Sequence, residues 1–157
     1  MKINEPEIVA EVSAAFARYE QALVGNDVAV LNELFLDDPT TIRYGIGENL
    51  YGVDAIRAFR AARPAAGLER RLEGLSITTY GSDSAVAATL FHRKSAPGKV
   101  GRQMQFWVRT ADGWRVAAAH VSIIDKPDTM YVTTIQAVTT ADLEALDHIL
   151  QTFNASA

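Results

Sequence analysis

The chain contains no cysteine. Disulfides, thiolate metal ligands and a cysteine nucleophile are therefore all excluded. Its three histidines, at 92, 120 and 148, are scattered and show neither the i,i+4 nor the His-x-His spacing of shared ligation, so no metal site is expected. No apolar run approaches the ~18 residues of a membrane helix, and the polar start MKINEPE does not read as a signal peptide. Positive charge is not in excess. A net charge of −4 gives neither nucleic acid nor an anionic membrane a reason to bind. There is no Gly-x-Ser-x-Gly elbow and no P-loop, and Gly45-Ile46-Gly47 lacks the rest of a dinucleotide fingerprint. Lys94 and Lys99 flank a turn and give no hint of the Ser-Lys arrangement of amidase-signature enzymes. No cofactor is expected, and the location expected is the cytoplasm.

What is present suits one folded domain. The 157 residues are 48% apolar and 22% charged, enough apolar residue to bury a core and too ordinary a balance for disorder. Asn4 is expected to cap a first helix whose stripe is Val9, Val12, Phe16, Tyr19 and Leu23, with Gly25 as its stop. Asn26 or Asp27 caps a shorter helix carrying Val28, Leu31, Leu34 and Phe35. After the breaker Asp37-Asp38-Pro39, residues 40–44 make a short run led by the β-branched Thr40, Thr41 and Ile42, and Val53–Arg63 reads as a third helix with Val53, Ile56 and Phe59 facing in. From Arg70 the period falls to two. Strands are expected at 70–79, 84–93, 101–110 and 114–124, then a further strand at 130–138 and a helix at 140–153. Helices followed by a meander make an α+β fold, a bent antiparallel sheet closed by three N-terminal helices, spanning 1–124 with an extension over 125–157.

The run RQMQFWVRTADGWRVAAAHVSII, 102–124, is the most informative segment. Asp112-Gly113 between alternating apolar residues marks a tight hairpin. Alternation groups Gln103, Gln105 and Trp107 on one strand and Ala118, His120 and Ser122 on the other. Polar side chains among apolar ones on a long hairpin suggest a lined concavity.

The order of elements resembles the cone-shaped fold of the nuclear transport factor 2-like, or SnoaL-like, superfamily over about residues 7–124. The phrases that carry the likeness are FARYEQAL, YGVDAIRAF and FWVRTADGWRVAAAHVS. Within it, DDPTTIRYGIGENLYG resembles a narrower family that includes a decarboxylating amidohydrolase of cyanuric acid catabolism and proteins of oxalurate breakdown. This resemblance implies action on a small carboxylated urea, 1,3-dicarboxyurea, giving allophanate. It also implies an essential tyrosine and arginine, which fall on Tyr19 and Arg43.

Each candidate has a plainer alternative. Tyr19 is either a core tyrosine bonded to a carbonyl or a donor aimed into the cone. Arg43 is either solvated, with Ile42 and Tyr44 inward, or turned in to present a planar fork to a carboxylate. Gln105 suits a urea because an amide both donates and accepts. Trp107 and Phe91 would supply apolar wall, and His120 is a strand histidine or a polar lining group. Three functions compete: a hydrolase or decarboxylase with Tyr19 and Arg43 catalytic and Gln105, Trp107 and His120 binding substrate; a non-catalytic module holding a small anion; and an isomerase of the ketosteroid type. The last needs paired interior acids, which the pattern does not supply. The partners expected are a small anionic substrate and a second copy of the chain, as a homodimer or dimer of dimers. Val86, Leu90, Met104, Phe106 and Val108 on the sheet's outer face, with the 130–153 tail, would be covered there.

Overall fold

The computed structural model describes residues 1–127, which form three helices and six strands. In chain order these are α1 (Pro6–Val24), α2 (Val28–Glu33), β1 (Ile42–Tyr44), β2 (Asn49–Tyr51), α3 (Val53–Ala62), β3 (Arg71–Tyr80), β4 (Ser84–His92), β5 (Lys99–Thr110) and β6 (Gly113–Asp125). The strand and helix expected at 130–138 and 140–153 lie outside the described residues.

All six strands join in one sheet of order β2-β1-β6-β5-β4-β3. It is mixed, not purely antiparallel. β1 runs parallel to β6, with Arg43 opposite Ala119, while every other neighbouring pair is antiparallel. The parallel pairing follows from chain path: β1 returns from α2 beside a strand contributed by the end of the sheet's long meander, and Val116 bridges the approach, its carbonyl accepting the Leu36 N–H (2.9 Å) and its N–H donating to the Leu34 carbonyl (2.8 Å). β2 was not expected. Three residues around a Gly-containing turn carry too little period to read.

Helix ends obey local chemistry, with one correction. Asp27 caps α2 by accepting the Val30 N–H at 3.0 Å. Asn4 does not cap α1, whose N-cap is Glu5. Asn4 instead takes a left-handed φ of 57° and pairs twice with Thr79, through its own N–H and through its side-chain oxygen, fastening the N-terminus to β3. An asparagine tolerates that conformation at small cost.

Alternation sorts the sheet into two faces. Ala85, Ala87, Gln103, Trp107 and Val116 are buried on the inner face, against Val12, Phe16 and Tyr19 of α1. Leu90, Met104, Phe106 and Ile124 stand on the outer face, each at least 38% exposed. Register shifts in β3 between Glu73 and Ser76, and between β5 and β6 at Phe106/Trp107, bend the sheet. Where Phe91 meets Gly101, its ring occupies the space of a side chain: a Cβ on Gly101 would lie 2.0 Å from the ring. Gly101→Ala is expected to destabilise by about 1–3 kcal/mol, the usual cost of overpacking, read as a lower midpoint in urea unfolding.

Candidate active site

Between α1, α3 and the inner face of the sheet lies a cavity of about 270 Å³. Tyr19 enters it from α1, Arg43 from β1 and Glu48 from the β1–β2 turn; Arg60 and Arg63 come from the end of α3, and Gln103 from β5. Arg70 and Arg93 complete the wall from the two ends of the β3–β4 hairpin. Tyr19 is buried by its neighbours: its ring meets Trp107 edge-on at 6.4 Å and is tilted against Phe16 and Phe35.

Arg43 points inward because Ile42 and Tyr44 occupy the other side of the strand, where Tyr44 packs on His120 and Tyr51. Its guanidinium lies 5.1 Å from the centre of the Phe59 ring and bonds Glu48 Oε1 at 2.5 Å. Glu48 folds back over the turn, its second oxygen accepting the Gly47 N–H. Only glycine fits at 45 with that carboxylate there, since a Cβ would sit 1.8 Å from Oε1.

The other arginines differ in how their charge is met. Glu20 grips one edge of Arg70 with both carboxylate oxygens, Nε donating to one at 2.8 Å and Nη2 to the other. Arg60, 3% exposed, donates to the Leu31 carbonyl (2.8 Å) and Asn32 Oδ1 (3.1 Å) and lies 4.0 Å over Phe35, with no carboxylate paired to it among the described residues. Burial pushes its pKa down to about 10. Burial also lowers Arg63, which donates to Asn26 Oδ1, and Arg93, which sits 5.5 Å from the Phe91 ring. Five arginines set against Glu48 and Glu20 leave three positive charges in excess. The arrangement can hold a small anion with more than one negative charge.

The sequence-based candidates divide. Tyr19 and Arg43 line the one cavity. Gln105 and Trp107 lie behind its wall, buried and bonded to each other, the indole N–H donating to Gln105 Oε1 at 3.2 Å. Gln103, one alternation nearer the open end, does the lining. His120 is on the outer face, opposite Met104. The cause is the bulge: Phe106 pairs Ala118 while Trp107 pairs Val116, so the extra residue Ala117 reverses the parity of everything after it. Uninterrupted alternation from Val116 would have turned His120 inward. Arg60 was detectable, since it continues the Val53, Ile56 stripe of α3 at helical spacing. Arg63, Arg70 and Arg93 carry no comparable sequence signal.

A family model described as AtzH-like matches residues 1–127. The chain belongs to the AtzH-like family. Two solved structures are close to it. One, a protein of unknown function of the DUF3225 family from Pectobacterium atrosepticum, is 59% identical over 78% of this chain and 95% of its own, with a TM-score of 0.77. The other, a cystatin-like fold protein from Burkholderia xenovorans, is 46% identical over 81% and 99%, with a TM-score of 0.78. An NTF2-like protein from Novosphingobium aromaticivorans, 21% identical over 80% and 88%, TM-score 0.60, shares the fold. No curated protein matches. This AtzH-like chain thus has the NTF2-like, cystatin-like α+β fold with a curved mixed sheet.

The unbalanced charge has a measurable consequence. An anion such as sulfate should raise the melting temperature already at millimolar concentration, where its general salting-out effect is negligible, because it binds the folded cavity. As pH climbs through about 10, Arg60 loses its proton in the folded state first, so its attraction for the anion falls. The sulfate-dependent rise should shrink above that pH, and Arg60→Gln should remove this part of the pH dependence in thermal scans.

Proposed function

We propose that this AtzH-like protein is a decarboxylating amidohydrolase that acts on a carboxylated urea such as 1,3-dicarboxyurea and yields allophanate. The observation that carries the reading is that Tyr19 and Arg43 line one small cavity whose arginines outnumber its carboxylates. The resemblance of DDPTTIRYGIGENLYG to the amidohydrolase family gives the substrate class.

The chemistry is modest. In an N-carboxylate the bond between nitrogen and the carboxyl carbon breaks, carbon dioxide leaves, and the electron pair stays on nitrogen. A proton must then reach that nitrogen, and the Tyr19 hydroxyl is the group we assign to deliver it, with solvent restoring it afterwards. Negative charge moves from the departing carboxylate onto the urea nitrogen and oxygen. Cations help only where charge grows or stays, so Arg43 acts on the urea oxygen or the retained carboxylate. Isomerase chemistry by paired acids fits poorly, because Glu48 is the one carboxylate among the described lining residues and it is bound to Arg43. That same pairing favours a second reading, a non-catalytic module that holds a small anion.

Turnover separates the two. Mass spectrometry of 1,3-dicarboxyurea incubated with the protein should show allophanate. Arg43→Ala should abolish it with the fold intact, Arg43→Lys should recover little, since a point charge does not reproduce a planar fork, and Tyr19→Phe should slow it by about 10²–10⁴. Wild-type rates in both Arg43→Ala and Tyr19→Phe would exclude this assignment.

We also propose that the protein is a homodimer, joined through the exposed outer-face residues Leu90, Met104 and Phe106. These side chains lie on the same face of adjacent strands, and a two-fold axis running parallel to that face would bring the patch onto its own copy. Sedimentation should give twice the chain mass at micromolar concentration; a stable monomer would contradict it.

A further inference from the structure

Gln103 is 3% exposed, and its amide is oriented from behind. Glu20 holds the Nε/Nη2 edge of Arg70 with both carboxylate oxygens, and Nη2 also donates to Gln103 Oε1 at 3.0 Å. A guanidinium can only donate, so the amide oxygen must be the atom that faces it. The amide nitrogen is thereby turned away, buried and without a partner among the described residues. The Nε atoms of Arg63 and Arg93 are also buried and unpartnered, and all three residues line the cavity.

Every one of these unmet groups is a donor. Buried donors are ordinarily satisfied, so the partner they lack supplies acceptors and nothing else, as an oxyanion does. Their place in the fold separates them from Arg43. In the order β1-β6-β5-β4, Arg43 sits on β1, Gln103 on β5, and Arg93 directly follows β4. At about 4.8 Å between neighbouring strands, the backbones of Arg43 and Gln103 stand about 10 Å apart across the sheet. Measured against β6, Arg43 is level with Ala119 and Gln103 with Val121. Arg63, from the end of α3, lies between the flanks, within the fields of both Arg43 and Arg93.

We propose that Gln103 and Arg93, with Arg63 between the flanks, form a second carboxylate-binding end of the cavity, so that its ligand is a short dicarboxylate held at both ends. Gln103 is then a specificity-determining residue, positioned by the Glu20–Arg70 pair. The inference rests on the proposed function for the chemical identity of the substrate, but the two-ended anion site is argued from geometry alone.

Isothermal titration with glutarate and butyrate, an unreactive dicarboxylate and monocarboxylate of similar chain length, tests it. The native protein should prefer glutarate by about tenfold or more, the factor expected for one charge-assisted contact set. Gln103→Met and Arg93→Gln should each collapse that preference. Arg93 lies partly exposed at a hairpin end, so its variant serves if the buried Gln103→Met fails to fold. No preference for glutarate, no glutarate binding at all, or a preference that survives in a folded variant would overturn the proposal. Turnover of 1,3-dicarboxyurea distinguishes the two readings. A glutarate preference that depends on Gln103 or Arg93 without turnover would sink the enzymatic reading and leave the two-ended site standing. Turnover with a preference indifferent to both residues would do the reverse.

Discussion

A guanidinium taken out of water without a carboxylate beside it is unfavourable, and this fold does so several times around one cavity. What makes it tolerable is a set of aromatic plates and carbonyls. Phe35 lies under Arg60, Phe59 under Arg43, and Phe91 beneath both Arg70 and Arg93. Each ring offers its negative face to a cation while keeping its edges in the apolar packing. Gly101 belongs to the same arrangement, because the space it leaves open is filled by the Phe91 ring. The hydrophobic core and the charged wall are therefore built from the same side chains. Packing fixes the plates, and the plates fix where positive charge stands.

The long elements were legible from periodicity alone. The stripe Val12, Phe16, Tyr19 placed α1, and the change of period after Arg70 placed the four long strands within two residues of their ends. Pairing partners were less accessible. The parallel neighbour of β1 is contributed by β6, and three-residue strands leave too short a pattern to register against anything. The misplaced histidine has a local cause, since one inserted residue at Ala117 turns a correct alternation into a wrong face. A bulge costs the sequence nothing visible, as alanines on either side of it look alike.

The site divides along the same lines. Arg43 and Tyr19 came from a resemblance to a family, and residue patterns by themselves left both open. Gln103 and Gln105 were both placed on the inner face, but which of them reaches the cavity depends on depth along β5, which alternation does not encode. Arg63, Arg70 and Arg93 lie at element ends, where neither helical nor strand period applies. Their convergence is a property of topology: the end of α3 and both ends of the β3–β4 hairpin arrive at one mouth of the sheet. A protein at 21% identity shares the fold, and a shared fold does not by itself carry the chemistry set into it.

Glu48 gives the cavity a resident competitor. Tethered five residues from Arg43 on a tight turn and accommodated only because residue 45 is glycine, its carboxylate meets Arg43 at an effective concentration on the order of millimolar or more. A stray acetate or amino acid carboxylate at lower concentration cannot displace it on the strength of one ion pair. A ligand succeeds only by bringing contacts elsewhere in the wall. The ion pair that makes Arg43 look occupied is thus a threshold, set inside the chain, that weak anions fail to cross.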